Sequence, residues 1–316
     1  MDKIALFPPI PPEAIADRFE GVDIVGIGPD TDDPAAAAEG ATVAVSDWSN
    51  RVTIAGDIVD ALAPTCRLVQ VPAAGVDSVD VEACAEAGIP VASCAGLNTG
   101  AVAEWCVWAA IDALRKLTWS DRALRDGRWE QLGHPRFELG GKTVGIVGLG
   151  DIGTATAERF GAFGVDLAYW SRRRRDEEEE ARLGARYLEL HELFPAADVL
   201  ILTVALTPDT RHLVDAERLG TMKATAVVVN AARGEVVDEV ALAEALTEGR
   251  LHGAAVDVFS TEPPPGDHPL RGVETAVLTP HVAGASAEAA GRILERVFSN
   301  VTAVLEGREP VGVLDV

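Results

Sequence analysis

The chain has 316 residues, enough for about two domains of ordinary size, and its 48% hydrophobic and 24% charged content supports a sizeable core and excludes a disordered chain. Its 27 basic and 50 acidic residues leave a formal net charge of −23. That excludes a general nucleic-acid or anionic-membrane binder, since either partner carries the same sign.

In chain order, residues 1–97 alternate short apolar strands with helices. Strands are predicted at Ile4–Phe7, Asp23–Gly28, Thr42–Ser46, Arg67–Val71 and Pro90–Ser93, and helices near 12–20, 54–63 and 79–87. Such alternation predicts a parallel sheet with helices on its faces. A longer helix follows from about Gly100 to Leu117, with Asn98 or Thr99 as N-cap; its many apolar residues predict burial between domains. A second alternating series begins at Lys142. Its strands are predicted at Thr143–Val147, Asp166–Trp170, Asp198–Thr203, Ala226–Asn230, Gly253–Asp257 and Ala276–Thr279, with helices such as 152–163 and 239–248 between them. One more amphipathic helix covers 286–306. The expected architecture is α/β: two Rossmann-like or flavodoxin-like domains, with parallel sheets flanked by helices and a cleft between them.

No uninterrupted apolar run approaches the ~18–20 residues of a membrane span. The start, MDKIALFPPIPP, lacks the apolar core and small-residue cleavage site of a signal sequence, so a cytoplasmic protein is expected. Cys66, Cys84, Cys94 and Cys106 show no CxxC spacing and sit in apolar stretches. They read as buried reduced thiols, and no metal site is expected.

The strongest local motif is Gly148-x-Gly150-x-x-Gly153, which follows a Val/Ile strand and opens a helix. In that context Gly148 permits a tight turn, Gly150 lets backbone approach a pyrophosphate, and Gly153 lets helix and strand pack closely. The helix N-terminus then offers free N–H groups to the phosphates. An NAD site usually carries Asp or Glu about 20 residues further on. Here the second strand runs into Ser171, Arg172 and Arg173 with no carboxylate. A hydroxyl and guanidinium groups suit a 2′-phosphate, so NADP(H) is expected over NAD(H), which stays possible. The later arginines and the following Glu run also read as a solvated helix start with ion pairs such as Arg174–Glu178.

Three polar segments lie just past the carboxyl ends of predicted strands: Asn230 to Gly234, Asp257 to Pro264, and Thr279-Pro280-His281. An open α/β sheet gathers its catalytic groups at that edge. Arg233 is permanently cationic and suited to grip a carboxylate or polarise a carbonyl. His281 exchanges a proton near neutral pH, and an adjacent carboxylate such as Glu262 orients the ring and raises its pKa.

Together with Ala73-Ala74-Gly75-Val76-Asp77 and Asn98-Thr99-Gly100-Ala101-Val102-Ala103-Glu104, these stretches resemble the D-isomer-specific 2-hydroxyacid dehydrogenases from Val71 onward. The resemblance implies a substrate-binding domain of residues 1–97 plus 286–316 and a dinucleotide-binding domain of 98–285. It implies His281 as general acid/base, Glu262 as its partner and Arg233 as the substrate anchor. Ala74 and the backbone N–H groups of Gly75 and Val76 would meet the substrate carboxylate. Thr99, Asp151, Ile152, Ala232 and Asp257 would join the glycines at the cofactor, with Asp257 by the nicotinamide carboxamide. Members are usually homodimers.

The chain departs from the family at Ala205, where Pro is common, which implies a changed loop. Asp47-Trp48 stands where phosphoglycerate-using relatives tend to show Arg-Ser. The Asp would repel a substrate phosphate, and Trp48 would either close over a small or apolar substrate side chain or serve as a core or interface tryptophan. Glu262 speaks against formate, whose relatives use Gln there. The expected activity is an NADP(H)-preferring reductase of small 2-oxo acids of the glyoxylate or hydroxypyruvate class. The alternatives are an NAD-dependent D-2-hydroxyacid dehydrogenase for a larger apolar 2-oxo acid and a non-catalytic dinucleotide sensor.

Overall fold

The computed structural model describes residues 1–49 and 51–315. Along the chain come β1 (Lys3–Leu6), β2 (Asp23–Gly26), α1 (Pro34–Ala38), β3 (Val43–Val45), α2 (Asp57–Leu62), β4 (Leu68–Gln70), α3 (Val81–Glu86) and β5 (Val91–Ala92). There follow α4 (Thr99–Arg115), α5 (Leu117–Arg125), β6 (Thr143–Val147), α6 (Asp151–Phe160), β7 (Asp166–Trp170), α7 (Glu177–Leu183), β8 (Ala185–Tyr187), α8 (Leu190–Ala196) and β9 (Val199–Leu202). The series ends with α9 (Ala216–Thr221), β10 (Val227–Asn230), α10 (Glu239–Thr247), β11 (Gly253–Val256), β12 (Ala276–Leu278) and α11 (Ala287–Leu305). The chain divides into two compact units, Met1–Asn98 with Ser286–Val316, and Thr99–Ala285.

The first unit holds a five-stranded sheet in the order β2-β1-β3-β4-β5, with parallel pairing throughout. This is the flavodoxin-like order. Alternation along the strands splits its core. Ala5, Ala44, Val69 and Val91 face a layer with Val59 and Leu62 of α2, while Ile4, Leu6, Val43 and Leu68 face Ile293, Val297 and Val301 of α11. α11 starts on the Ser286 hydroxyl, which accepts the Ala289 N–H at 3.1 Å.

The second unit holds a seven-stranded parallel sheet in the order β12-β11-β10-β9-β6-β7-β8. Read from its first strand outward, this is the Rossmann order, with the reversal between β6 and β9. One face packs on Leu193 and Phe194 of α8 and Leu242, Ala245 and Leu246 of α10. The other packs on Val102, Cys106, Ala109 and Ala113 of α4 and on Ala157 and Phe160 of α6. No helix among the described residues is long and apolar enough to cross a membrane.

Several local expectations need correction. The helix predicted at 12–20 is two 3₁₀ turns, Pro12–Ala14 and Ala16–Arg18, in a proline-rich entry that withholds N–H donors. The long helix stops at Arg115, because Lys116 turns left-handed at φ 55°. Asp112 holds that break by accepting the Thr118 N–H at 2.8 Å, and α5 then restarts at Leu117. Trp108 on α4 is 40% exposed, so that helix is not apolar contact all round. The short α1, α5 and β8 escape prediction; β8 is an edge strand of three residues. All four cysteines are free and buried, and burial pushes their thiols up to about 11 or 12.

Candidate active site

All parallel strands of the second unit end at one edge of its sheet, and the candidate groups gather there. After β6, Gly148 takes φ 100°, and a Cβ at this position would sit 2.8 Å from Val204 Cγ1 and 2.9 Å from the Thr203 carbonyl carbon. Gly150 is the N-cap of α6, with open space where a side chain would stand. Gly153 packs so tightly that a Cβ would lie 2.0 Å from the Gly148 oxygen. Thr203 Oγ1 donates to that same oxygen at 2.7 Å. The result is a bare main-chain rim at a helix N-terminus, a fit for a pyrophosphate. Beside it is a cavity of about 630 Å³ lined in part by Gly148, Gly150, Ser171, Arg172, Arg173 and Arg175. Asp151 is exposed at the first turn of α6, Ile152 is half-buried against the core and Thr99 opens α4.

The structure sorts the four arginines that follow β7. Buried Tyr169 donates its hydroxyl to Glu180 Oε1 at 2.7 Å and accepts the Arg175 N–H at 2.9 Å. Arg174 pairs with both Glu180 oxygens, at 2.8 and 2.9 Å, and its hydrogen bonds with that of Tyr169 hold the Glu180 carboxyl down to about 2. The expected Arg174–Glu178 pair is therefore replaced: Arg174 precedes α7 rather than lying on it, so helical i,i+4 spacing does not apply. Arg175 bonds the Leu149 carbonyl through Nε at 3.0 Å and through its second terminal nitrogen, tying the run to the glycine loop. Arg172 and Arg173 are exposed at the cavity and form no ion pair among the described residues. The Ser171 hydroxyl donates to the Arg173 carbonyl, bending the backbone there. Arg175 is the residue that sequence reasoning missed, and no local spacing marks its long-range bond. The loop at Ala205 is closed by Thr210, whose hydroxyl donates to the Ala205 carbonyl at 2.7 Å and accepts the Thr207 N–H at 2.7 Å.

Beyond β10, Asn230 organises the next turn, accepting the Ala232 N–H and donating to the Arg233 carbonyl, both at 3.0 Å. Ala232 is buried, and its carbonyl accepts from Arg233 at 2.7 Å. Gly234 lies against the next segment; a Cβ there would meet the Phe259 carbonyl carbon at 2.0 Å. Past β11, Glu262 Oε1 accepts the Phe259 N–H at 2.9 Å and Oε2 lies 2.7 Å from His281 Nδ1. His281 follows β12 with φ 54°, a left-handed conformation rare outside glycine. Its N–H holds that turn by donating to the Asp257 carbonyl at 2.8 Å and the Thr279 carbonyl at 3.1 Å. A backbone outlier secured in this way is common at functional positions.

The electrostatics follow from this grouping. The hydrogen bond that His281 donates to Glu262 raises the His281 pKa above the ordinary imidazole value; desolvation opposes the rise, the Glu262 charge adds to it, and Arg233 counters it. Burial would raise the Glu262 carboxyl, but bonds from His281 and the Phe259 N–H, with the positive charges of His281 and Arg233, carry it below its usual value. Arg233 thus acts on both members of the pair, and all three belong to one unit.

Asp257, expected by the carboxamide of the nicotinamide, is 1% exposed. Its carboxylate accepts the Val282 N–H at 2.9 Å, the Ala283 N–H at 2.7 Å and the Thr279 hydroxyl, so in the structure it holds the turn that carries His281. In the first unit, Ala74, Gly75 and Val76 form the half-buried loop after β4. Asp47 is 1% exposed, and its carboxylate fixes the N–H groups of Ser49, Arg51 and Val52 at 2.6, 2.9 and 2.9 Å. Trp48 packs half-buried on the first unit's core.

Residues 107–283 match the family model described as D-isomer specific 2-hydroxyacid dehydrogenase, NAD binding domain. A glyoxylate reductase of Thermofilum pendens is 40% identical over 261 residues, 81% of this chain and 77% of that protein. A crystal structure of a Thermus thermophilus protein superposes with a TM-score of 0.85 at 33% identity, covering 99% of this chain and all of that one. An NAD-dependent formate dehydrogenase from Staphylococcus aureus, solved in complex with NAD, gives a TM-score of 0.86 at 29% identity over 100% and 99% of the two chains. The chain belongs to the D-isomer specific 2-hydroxyacid dehydrogenase family and is an oxidoreductase that works with a nicotinamide dinucleotide.

Proposed function

We propose that this protein reduces small 2-oxo acids of the glyoxylate or hydroxypyruvate class to D-2-hydroxy acids, with NADPH preferred over NADH. The observation that carries the reading is the 2.7 Å pair of His281 and Glu262, under the charge of Arg233, at the same sheet edge as the glycine loop. The glyoxylate reductases among the relatives support the substrate class. Gly148, Gly150 and Gly153 would hold the pyrophosphate, and Ser171, Arg172 and Arg173 the 2′-phosphate. The bound nicotinamide supplies the hydride.

The protein's own residues do the rest. The Arg233 guanidinium grips the substrate carboxylate and draws charge onto the carbonyl oxygen. Glu262 takes the Nδ1–H of His281, which leaves Nε2 as the atom that delivers a proton to that oxygen. We assign the backbone of Gly75 and Val76, with Ala74, to the substrate carboxylate, and residues 1–97 with 286–316 to substrate binding.

Preference for NADPH rests on the sorted arginines. Replacing Arg172 and Arg173 together by Ala should raise the KM for NADPH at least ~10-fold while changing that for NADH less than ~3-fold, as loss of charge-assisted bonds predicts. Wild-type protein using NADH ten times better would overturn the preference; no turnover on any 2-oxo acid would overturn the activity. We also propose a homodimer through the 108–132 region, where Trp108, Leu117, Leu124, Trp129 and Leu132 stand 40–95% exposed. Sedimentation of a Trp129→Ser, Leu132→Ser variant should show monomers where the wild type shows dimers.

A further inference from the structure

Behind the loop that carries Glu262 lies a second carboxylate–imidazole pair that the reaction above does not use. His268 is 5% exposed at its side chain and caps the 3₁₀ turn Pro269–Gly272, its Nδ1 accepting the Leu270 N–H at 3.4 Å. With Nδ1 as acceptor, the neutral ring carries its hydrogen on Nε2. That buried atom faces Glu239 Oε2 at 3.2 Å, off the line of a good hydrogen bond. Glu239 opens α10 and is 10% exposed at its side chain.

The other bonds of Glu239 go to one residue. It accepts the Ser260 N–H at 3.1 Å through Oε1 and the Ser260 hydroxyl through Oε2. The Phe259 ring stands edge-on to His268, with centroids 5.4 Å apart. Glu239 thus bonds the Ser260 end of the Phe259–Ser260 peptide, His268 stands against the Phe259 ring, and the peptide lies so close to Gly234 that no side chain fits there. It is also the segment whose Phe259 N–H bonds Glu262 Oε1.

We propose that Glu239 is a positioning residue that sets the Glu262 carboxylate against the His281 ring by anchoring the Phe259–Ser260 peptide. It acts through that peptide, since the charges felt by His281 are those of Glu262, Arg233 and Asp257. The proposal rests on the reading of His281 and Glu262 as the proton-transfer pair. Small displacements of such a pair are costly, because proton transfer depends on alignment.

The test is the pH profile of kcat/KM for 2-oxo acid reduction in Glu239→Ala, Glu239→Gln, Ser260→Ala and His268→Asn, with His281→Ala as control. In Glu239→Ala, kcat should fall ~10-fold or more with KM for the cofactor within ~3-fold, and the alkaline limb should move to lower pH. Glu239→Gln, which keeps an acceptor for Ser260, should recover most of kcat and most of the limb. Ser260→Ala should move the limb the same way by less, and His268→Asn should retain a limb, since the proposal places the proton transfer on His281. A fall in kcat with an unmoved limb, or a loss of cofactor affinity instead, would overturn the proposal by reducing Glu239 to a structural support. If circular dichroism finds Glu239→Ala unfolded, Glu239→Gln and Ser260→Ala decide: two wild-type profiles reject the anchor. Full turnover in His281→Ala would instead overturn the reading of the proton-transfer pair, an outcome separate from any result at Glu239.

Discussion

At the end of β6 the sheet edge works by leaving atoms out; at β10, β11 and β12 it works by holding side chains in. The glycine loop has no room for a methyl group at Gly148 or Gly153 and open space at Gly150. The other end brings a guanidinium, a carboxylate and an imidazole together from three strand ends, each on a turn tied by side-chain to main-chain bonds. The two regions should therefore fail in opposite ways: the first when an atom is added, the second when one is removed.

The largest expected effect comes from removal. His281→Ala deletes the proposed proton donor and should lower kcat by ~10²–10⁴-fold while cofactor binding, followed by fluorescence titration, stays within ~3-fold. Addition comes next. Gly153→Ala forces a methyl group to 2.0 Å from the Gly148 oxygen, so the helix must withdraw from the strand end. Its cost should be ~1–3 kcal/mol in a denaturation experiment, with cofactor affinity falling at least ~10-fold. If Gly153→Ala binds cofactor normally and His281→Ala loses it, the division between the two regions breaks.

A change of charge without a change of size sharpens the comparison. Glu262 raises the His281 pKa above the ordinary value near 6.5. Reduction needs the imidazolium, so activity persists up to the raised pKa and falls as pH rises through it. Glu262→Gln removes the charge, and the alkaline limb should shift to lower pH with kcat down ~10-fold or more. A profile that keeps the wild-type limb would mean that another group supplies the proton.

The two regions were also unequally legible in the sequence. Glycine spacing reports a backbone constraint within a few residues, so the strand, loop and helix from Thr143 to Phe160 could be read directly. The trio was legible by position, each member just past a strand, but the 2.7 Å pair and the left-handed turn at His281 depend on contacts across 19 or more residues. Asp257 and Asp47 show what the sequence leaves hidden about a carboxylate's surroundings. Both are carboxylates near expected ligands, and both are spent on backbone N–H groups that only the folded loops bring near. The break at Lys116 was hidden for the same reason, since helical periodicity continues through it while Asp112 bonds across it.

The smallest predicted effect separates neighbours that look alike in sequence. Arg174 is held by Glu180, which is in turn held by Tyr169, so its charge is already matched by a carboxylate. Arg172 and Arg173 have no such partner among the described residues and line the cavity, whereas Arg174 does not. Arg174→Ala should therefore leave the ratio of NADPH to NADH kcat/KM within ~2-fold of wild type, against at least ~3-fold for the Arg172, Arg173 double variant. Equal effects from all three arginines would mean that the run acts as a diffuse positive field and that the sorting by Tyr169 and Glu180 has no bearing on cofactor choice.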